Sequence, residues 1–186
     1  MGKVALDKTM SLDGYIAGPN DDVTRLFEWY GGTIAHATEI LGDPLTTTGA
    51  VVMGRRSFNL IDNPNGWMTP DGTALPWPVF VLTHEAREKV TKGATTFTFV
   101  TDGIESAVTQ AKAVAGDKNV GVMGANTAQQ CLRAGLLDEI QIHPVPVLLG
   151  EGIRLFEHIG TEHIELESTR VIESPGATHL SFRVVK

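Results

Sequence analysis

The apolar and polar positions along the chain fall into short segments separated by glycine and proline breakers. KVALDKTMSLDGYIAG reads as a strand that runs into a turn at Asp13-Gly14 and continues to Gly18-Pro19. Residues 22–41 are expected to be largely helical, with a break at Gly31-Gly32. AVVMG at 50–54 is a continuous apolar run of the kind a doubly covered central strand shows, and RRSFNLI after it starts a helix. The composition then shifts to Asn, Pro, Gly and Trp over 62–78, which predicts a long loop, and loops of that length in compact domains often serve a site.

PVFVLT and TTFTFV are two further buried-type strands. GIESAVTQAKAVAG places Ile104, Ala107, Val108, Ala111 and Ala115 on one helical face, with Asp102 as its N-cap, Glu105 behind it and Gly116 as its stop. NVGVMG is the next strand, 127–134 a short helix ending at Gly135, and LDEIQIHPVPVLLG a return to strand in which Pro144 and Pro146 predict an edge or a bulge. EHIELEST and ATHLSFRVVK alternate on either side of Pro175-Gly176, the pattern of an antiparallel hairpin. Parallel strands with helices come first and a hairpin closes the chain, so the fold class is α/β with a mixed central sheet. No repeat or linker divides it, and residues 1–186 read as one domain.

Composition narrows the classes of function. At 186 residues and 42% hydrophobic content, one substantial core is within reach. A net charge of -7, from 15 Lys+Arg against 22 Asp+Glu, leaves no excess positive charge to follow a phosphate backbone, so nucleic acid is not an expected partner. A single cysteine cannot form an intrachain disulfide, and the start MGKVALDK has neither a signal-like apolar stretch nor a membrane-length span; the cytoplasm is the expected compartment. Leu6 stands where a myristoylation signal wants Ser or Thr.

Three constellations carry candidate chemistry. In VVMGRRSF a strand ends at Gly54 and Arg55, Arg56 and Ser57 open a helix; free N–H groups, the positive end of the helix dipole and a guanidinium fork all favour an anion. The bland alternative is a permissive glycine followed by two surface arginines paired with carboxylates. In NVGVMGANTAQQ a strand, Gly124 and a helix opening with Ala125, Asn126 and Thr127 offer a second cradle, without the G-x-G-x-x-G fingerprint. Two such turns are what the separated phosphates of a dinucleotide need. The strand PVFVLT ends in Leu82, Thr83 and His84, candidates to meet an adenosine ribose or its phosphate, or simply a polar strand end. The G-x-S-x-G and P-loop patterns are absent, HEARE has Glu88 where a zinc peptidase needs its second His, and the six histidines lack metal-ligand spacing, so no metal is expected. Cys131, among Ala128, Leu132 and Ala134, reads as a small buried hydrophobe.

The order of SLDGYIAGP, VVMGRRSF, PVFVLT, GVMGANTAQQCLRAGLLDEIQIHPVPVLLGEGIRLF and the final hairpin resembles the dihydrofolate-reductase-like family, in particular the reductase domain of riboflavin biosynthesis. The resemblance runs over nearly the whole chain and implies a three-layer α/β/α fold, NADPH as cofactor, and a homodimer, which the uncovered sheet edges of strand 139–149 and the final hairpin also favour. It implies that Gly54, Arg55, Arg56 and Ser57, with Leu82, Thr83 and His84, hold the adenosine end of NADP, and that Gly124, Ala125, Asn126 and Thr127 hold the pyrophosphate. The SLDG turn lies beside the nicotinamide and substrate in this family, which makes Asp13 the candidate catalytic contact; otherwise it is a hairpin-turn residue. Two departures stand out. Family members carry Gly-Gly, joined by a cis bond in folate reductases, where this chain has Met123-Gly124, and none of Asp21, Asp22 or Glu28 matches the pterin-binding carboxylate of those enzymes. Dihydrofolate is therefore not the expected substrate.

The expected activity is hydride transfer from NADPH to a C=N or C=O group of a small pterin- or pyrimidine-like compound, with Trp67 and Met68 as either a lid or core residues that tether their loop. The alternatives are a non-catalytic NADP-binding or sensor protein and a flavin-using oxidoreductase on the same scaffold.

Overall fold

The computed structural model describes residues 2–30, 38, 42–69 and 72–186. Along the chain, β1 (Val4–Ser11) turns at Asp13-Gly14 into β2 (Tyr15–Ala17), followed by α1 (Thr24–Phe27) and a 3-10 turn, Glu28–Tyr30. Most of the rest of the expected helix, including its break at Gly31-Gly32, lies outside the described residues. The next elements are α2 (Pro44–Thr47), β3 (Thr48–Gly54) and α3 (Arg55–Ile61). Then come β4 (Pro78–Leu82), β5 (Val90–Lys92), β6 (Thr95–Val100), α4 (Ile104–Ala115), β7 (Asn119–Met123) and α5 (Ala125–Arg133). The chain closes with β8 (Glu139–Val145), β9 (Ile153–Arg154) and the hairpin of β10 (Leu166–Ser174) and β11 (Ala177–Val184).

Nine strands form one sheet in the order β10-β11-β8-β1-β7-β3-β4-β6-β5, and β2 pairs with β9 in a separate two-stranded sheet. The strands from β8 through β1, β7, β3 and β4 to β6 run parallel, while β11, β10 and β5 are antiparallel to their neighbours. Alternate residues of the central strands feed two cores. Val51, Met53, Val79, Val81 and Phe97 pack with Phe58 of α3. Leu6, Val52, Phe80, Val120 and Val122 pack with Ala107 and Ala111 of α4 and with Ala128 and Cys131 of α5. The sheet is thus covered by α3 on one face and by α4 and α5 on the other, which explains why its central strands read as unbroken apolar runs.

Two expectations need correction. Asp102 does not cap α4: Gly103 occupies that position with φ 96, and the Asp102 carboxylate accepts a hydrogen bond from the Thr101 hydroxyl. Helix α5 begins at Ala125, ahead of the expected 127, because Gly124 at φ 95 already turns the chain. The expected edge at Pro144 is found: β8 lies between β1 and β11, but pairing with β11 stops at Ile142, so the Pro144 end is paired with β1 alone. Strands β5 and β9 were not foreseen; they are three and two residues long, too short to show a period.

Between Ile61 and Pro78 there is no strand beyond an isolated bridge of Met68 with Ala74 among the described residues. The segment is nevertheless held. The buried Thr95 hydroxyl donates to Leu75 O and accepts from Trp67 N, each at 2.9 Å. A Cβ on Gly66 would lie 2.1 Å from Lys92 O, so the loop backbone approaches the β5–β6 turn as closely as only glycine permits. Trp67 packs edge-on against Trp77 within the α3-side core, and Met68 is partly exposed.

Candidate active site

In parallel sheets the groups that bind ligands collect beyond the carboxyl ends of the strands, and here β3 and β7 end side by side, Met53 paired with Met123. Each strand is followed by a glycine and a helix. The two turns interlock: a Cβ on Gly54 would lie 3.3 Å from the Thr127 hydroxyl, and a Cβ on Gly124 would lie 2.7 Å from the Ser57 hydroxyl. Gly54, Ser57, Gly124 and Thr127, distant in sequence, therefore form one surface. The Met123–Gly124 bond is trans. The first internal bond of α5 is Ala128 N to Gly124 O, and no side chain caps the helix, so its leading N–H groups remain available to a ligand. Asn126 is exposed, its side-chain oxygen accepting from Gln130 at 2.6 Å, whereas Ala125 and Thr127 are buried.

The two arginines after Gly54 part company. Arg56 donates from Nε and Nη2 to Asp21 Oδ1 at 3.2 and 2.8 Å, an exposed ion pair that ties α3 to the segment after β2. Arg55 lies over the rings of Phe58 and Phe99, donates from Nε to Asn59 at 3.0 Å, and leaves Nη1 buried without a hydrogen-bond partner. Arg87, which the sequence did not single out, reaches the same Phe99 ring at 5.7 Å. An unpartnered buried N–H is costly until something accepts from it. Leu82 pairs with Gly54 at the end of β4, the Thr83 hydroxyl accepts from Glu85 N at 3.1 Å, and His84 is exposed. These three residues flank the turn that opens α3.

Asp13 is drawn into a different task. Its Oδ1 accepts from the Ser11 hydroxyl at 2.6 Å and from Leu149 N at 3.1 Å, and Oδ2 accepts from Gly150 N at 2.7 Å. The Ser11 hydrogen bond, helped by the two backbone N–H groups, lowers its pKa to about 2. Arg154 lies over the Tyr15 ring and donates to Asp13 O at 3.4 Å, completing a clamp between the SLDG turn and the segment leading to β9. From the far side, the buried Gln129 side chain of α5 donates to Arg154 O and Leu155 O, joining the candidate phosphate helix to that clamp.

A second polar group lies on the α3 face of the sheet. Asp7 Oδ1 is 3.0 Å from His143 Nε2, His143 Nδ1 is 3.0 Å from His179 Nδ1, and His179 Nε2 is 2.7 Å from the Ser174 hydroxyl. Both histidines are almost fully buried under Trp29, whose indole N–H donates to the Thr9 hydroxyl at 3.3 Å. The sequence reading missed this group; its signal was the alternation of EIQIHPV and ATHLSFRV, which puts one histidine on the inward side of each strand. Burial pushes the Cys131 thiol up to about 12, in keeping with a small core residue. Among the described residues no group of three His, Cys, Asp or Glu side chains could hold a metal ion, and no helix is long and apolar enough to cross a membrane.

Comparison with known proteins adds to this geometry. The sequence pattern of the RibD C-terminal domain matches residues 2–179. A protein described as a riboflavin biosynthesis protein of Shewanella sp. PV-4 shares the fold at a TM-score of 0.70 and 21% identity, over 100% of both chains. A diaminohydroxyphosphoribosylaminopyrimidine deaminase/5-amino-6-(5-phosphoribosylamino)uracil reductase of Thermotoga maritima gives a TM-score of 0.70 at 14% identity, covering 99% of this chain and 57% of that one. A pyrimidine reductase-like protein of Corynebacterium diphtheriae gives 0.67 at 11% identity, covering 100% and 92%. At these identities the likeness is one of fold. Curated protein sequences give no match.

Proposed function

We propose, from the premise that the chain belongs to the RibD C-terminal domain family, that it is an NADPH-dependent reductase acting on a C=N or C=O group of a small pyrimidine- or pterin-like compound. The observation that carries this reading is the interlocked pair of glycine turns at the ends of β3 and β7, beside an arginine whose buried Nη1 lacks a partner. The residues present fit the cofactor. A side chain at Gly124 would fill the space against Ser57, and the uncapped start of α5 offers N–H groups and a positive dipole end to a pyrophosphate. Gly124, Ala125, Asn126 and Thr127 would hold that group, with Gly54 and Ser57 completing the wall.

Arg55, with Arg87 beyond Phe99, would receive the 2′-phosphate, while Leu82, Thr83 and His84 would border the adenosine. Arg56 would act at one remove, since Asp21 already occupies its guanidinium. NADPH supplies the hydride when bound. Asp13 would serve as a positioning residue that fixes the SLDG turn against Leu149 and Gly150, because a carboxylate already accepting three hydrogen bonds is a weak base. The test is steady-state oxidation of NADPH against a panel of aminopyrimidines, pterins and small carbonyl compounds. Saturable turnover of at least one heterocycle is expected; tight NADPH binding with no turnover on any of them would favour a non-catalytic NADP sensor.

A further inference from the structure

Helix α5 turns Ala125, Ala128, Gln129 and Leu132 inward, and Gln129 is the polar member of that face. The residue is 4% exposed, and an amide so placed is costly unless neighbours accept from it. It donates from Nε2 to Arg154 O at 3.3 Å and to Leu155 O at 3.1 Å, so one helix side chain serves two carbonyls that lie 25 and 26 positions on. Leu155 is where two elements meet. Fully buried, it donates from its N–H to Gly14 O at 3.0 Å and accepts at its carbonyl from Gln129. Arg154 repeats the link one residue back: its carbonyl accepts from Gln129, and its guanidinium lies over the Tyr15 ring and donates to Asp13 O.

The SLDG turn and segment 149–155 are fastened to each other along their length. The Asp13 carboxylate accepts from Leu149 and Gly150, the Tyr15 hydroxyl donates to Gly150 O at 3.1 Å, and β2 pairs with β9. Gly152 approaches so closely that a Cβ there would lie 2.0 Å from Ala17 O. Gln129 ties this unit to α5 about one turn below the uncapped start of the helix. A helix start without a cap frays, and an anion that accepts from its leading N–H groups orders the first turn. Order in that turn fixes the backbone of Gln129, and with it both hydrogen bonds to Arg154 and Leu155.

We propose that Gln129 is a positioning residue that transmits occupancy of the α5 start to the SLDG turn, so that a nucleotide bound at the cofactor turns tightens the opposite wall of the site. This rests on the reading that α5 receives the pyrophosphate of NADPH. Gln129 acts through Leu155 and Arg154 rather than by touching nucleotide or substrate. By linkage the effect runs both ways, and a closed clamp favours the nucleotide in turn.

Amide hydrogen exchange, read residue by residue with and without NADPH beside a calorimetric titration of the nucleotide, tests the coupling. Saturating NADPH should slow exchange of the wild-type Leu149, Gly150 and Leu155 amides by about fivefold or more. Gln129→Met is similar in length but has no donor. Those amides should exchange about tenfold faster in it before any nucleotide is added, because two carbonyls lose their partner, and NADPH should bind without slowing them. Arg154 is exposed, so Arg154→Met leaves the core intact and keeps the test alive if melting curves show that Gln129→Met does not fold. In Arg154→Met the slowing should survive at Leu155 and weaken at Leu149 and Gly150. NADPH binding without slowing in wild type, slowing that persists in Gln129→Met, or slowing undiminished at Leu149 and Gly150 in Arg154→Met overturns the coupling and leaves the cofactor reading standing. Wild-type protein that does not bind NADPH at all overturns both.

Discussion

A carboxylate that accepts hydrogen bonds from a hydroxyl and two backbone N–H groups is favoured in its charged form, and the pKa of about 2 at Asp13 expresses that preference. The sign follows: because the folded value lies below the ordinary 3.8, the group stabilises the fold fully above that value, and the contribution disappears as pH falls through about 2. Asp13→Asn turns an amide N–H₂ toward N–H donors, so it should melt at a lower temperature near neutral pH, with the gap to wild type closing as acid protonates Asp13. An unchanged gap across the pH range would remove Asp13 from the clamp. At Cys131, a thiol buried and pushed up to about 12 should resist iodoacetamide in the native protein and react after denaturation. The sequence singled out Asp13 as a candidate catalytic contact or else a turn residue, and read Cys131 as core. It could not identify the Asp13 partners Leu149 and Gly150, because they lie 136 and 137 positions away and contribute only backbone N–H groups, which any residue but proline possesses.

Elements with a strong period were legible: α4, β3, β4, β6, β7 and the closing hairpin fall where apolar spacing and Gly or Pro breakers put them. What the pattern could not show is how strand ends meet, since adjacency of β3 and β7 follows from sheet order rather than from local sequence. Gly124 tests that junction. At φ 95, with a hydroxyl 2.7 Å from where its Cβ would lie, Gly124→Ala should weaken NADPH binding by about tenfold or more and lower the melting temperature. Removing the opposing hydroxyl as well, with Ser57→Ala, relieves the contact but not the backbone strain, so rescue should be partial. The segment 62–77 is held by Thr95 as much as by its own residues. Thr95→Val removes a buried hydroxyl that both donates and accepts, and should destabilise the protein by about 1–3 kcal/mol in a denaturant titration.

At the scale of the molecule, the sheet ends on β10, nine residues long and exposed for most of its length, with Leu166 and Val171 open to solvent. Such an edge invites pairing with another chain, and the homodimer expected from the sequence would cover it. Light scattering at micromolar concentration should report two chains per particle; a monomer would show that the edge is protected by its flanking charges alone. The fold class was legible because the order of motifs spans nearly the whole chain. The buried histidine pair was not, because Asp7, His143 and His179 come from three strands whose neighbourhood depends on the finished sheet. The central claim is that the interlocked turns and Arg55 form an NADPH site. It is tested most directly by calorimetric titration of NADPH and NADH into wild-type and Arg55→Ala protein. Arg55 is expected to contribute roughly 1.5 to 3 kcal/mol to NADPH and little to NADH, so wild type should prefer NADPH and the variant should lose most of that preference with its melting temperature nearly unchanged. Equal affinity of wild type for the two nucleotides, or a preference that survives in Arg55→Ala, would contradict it.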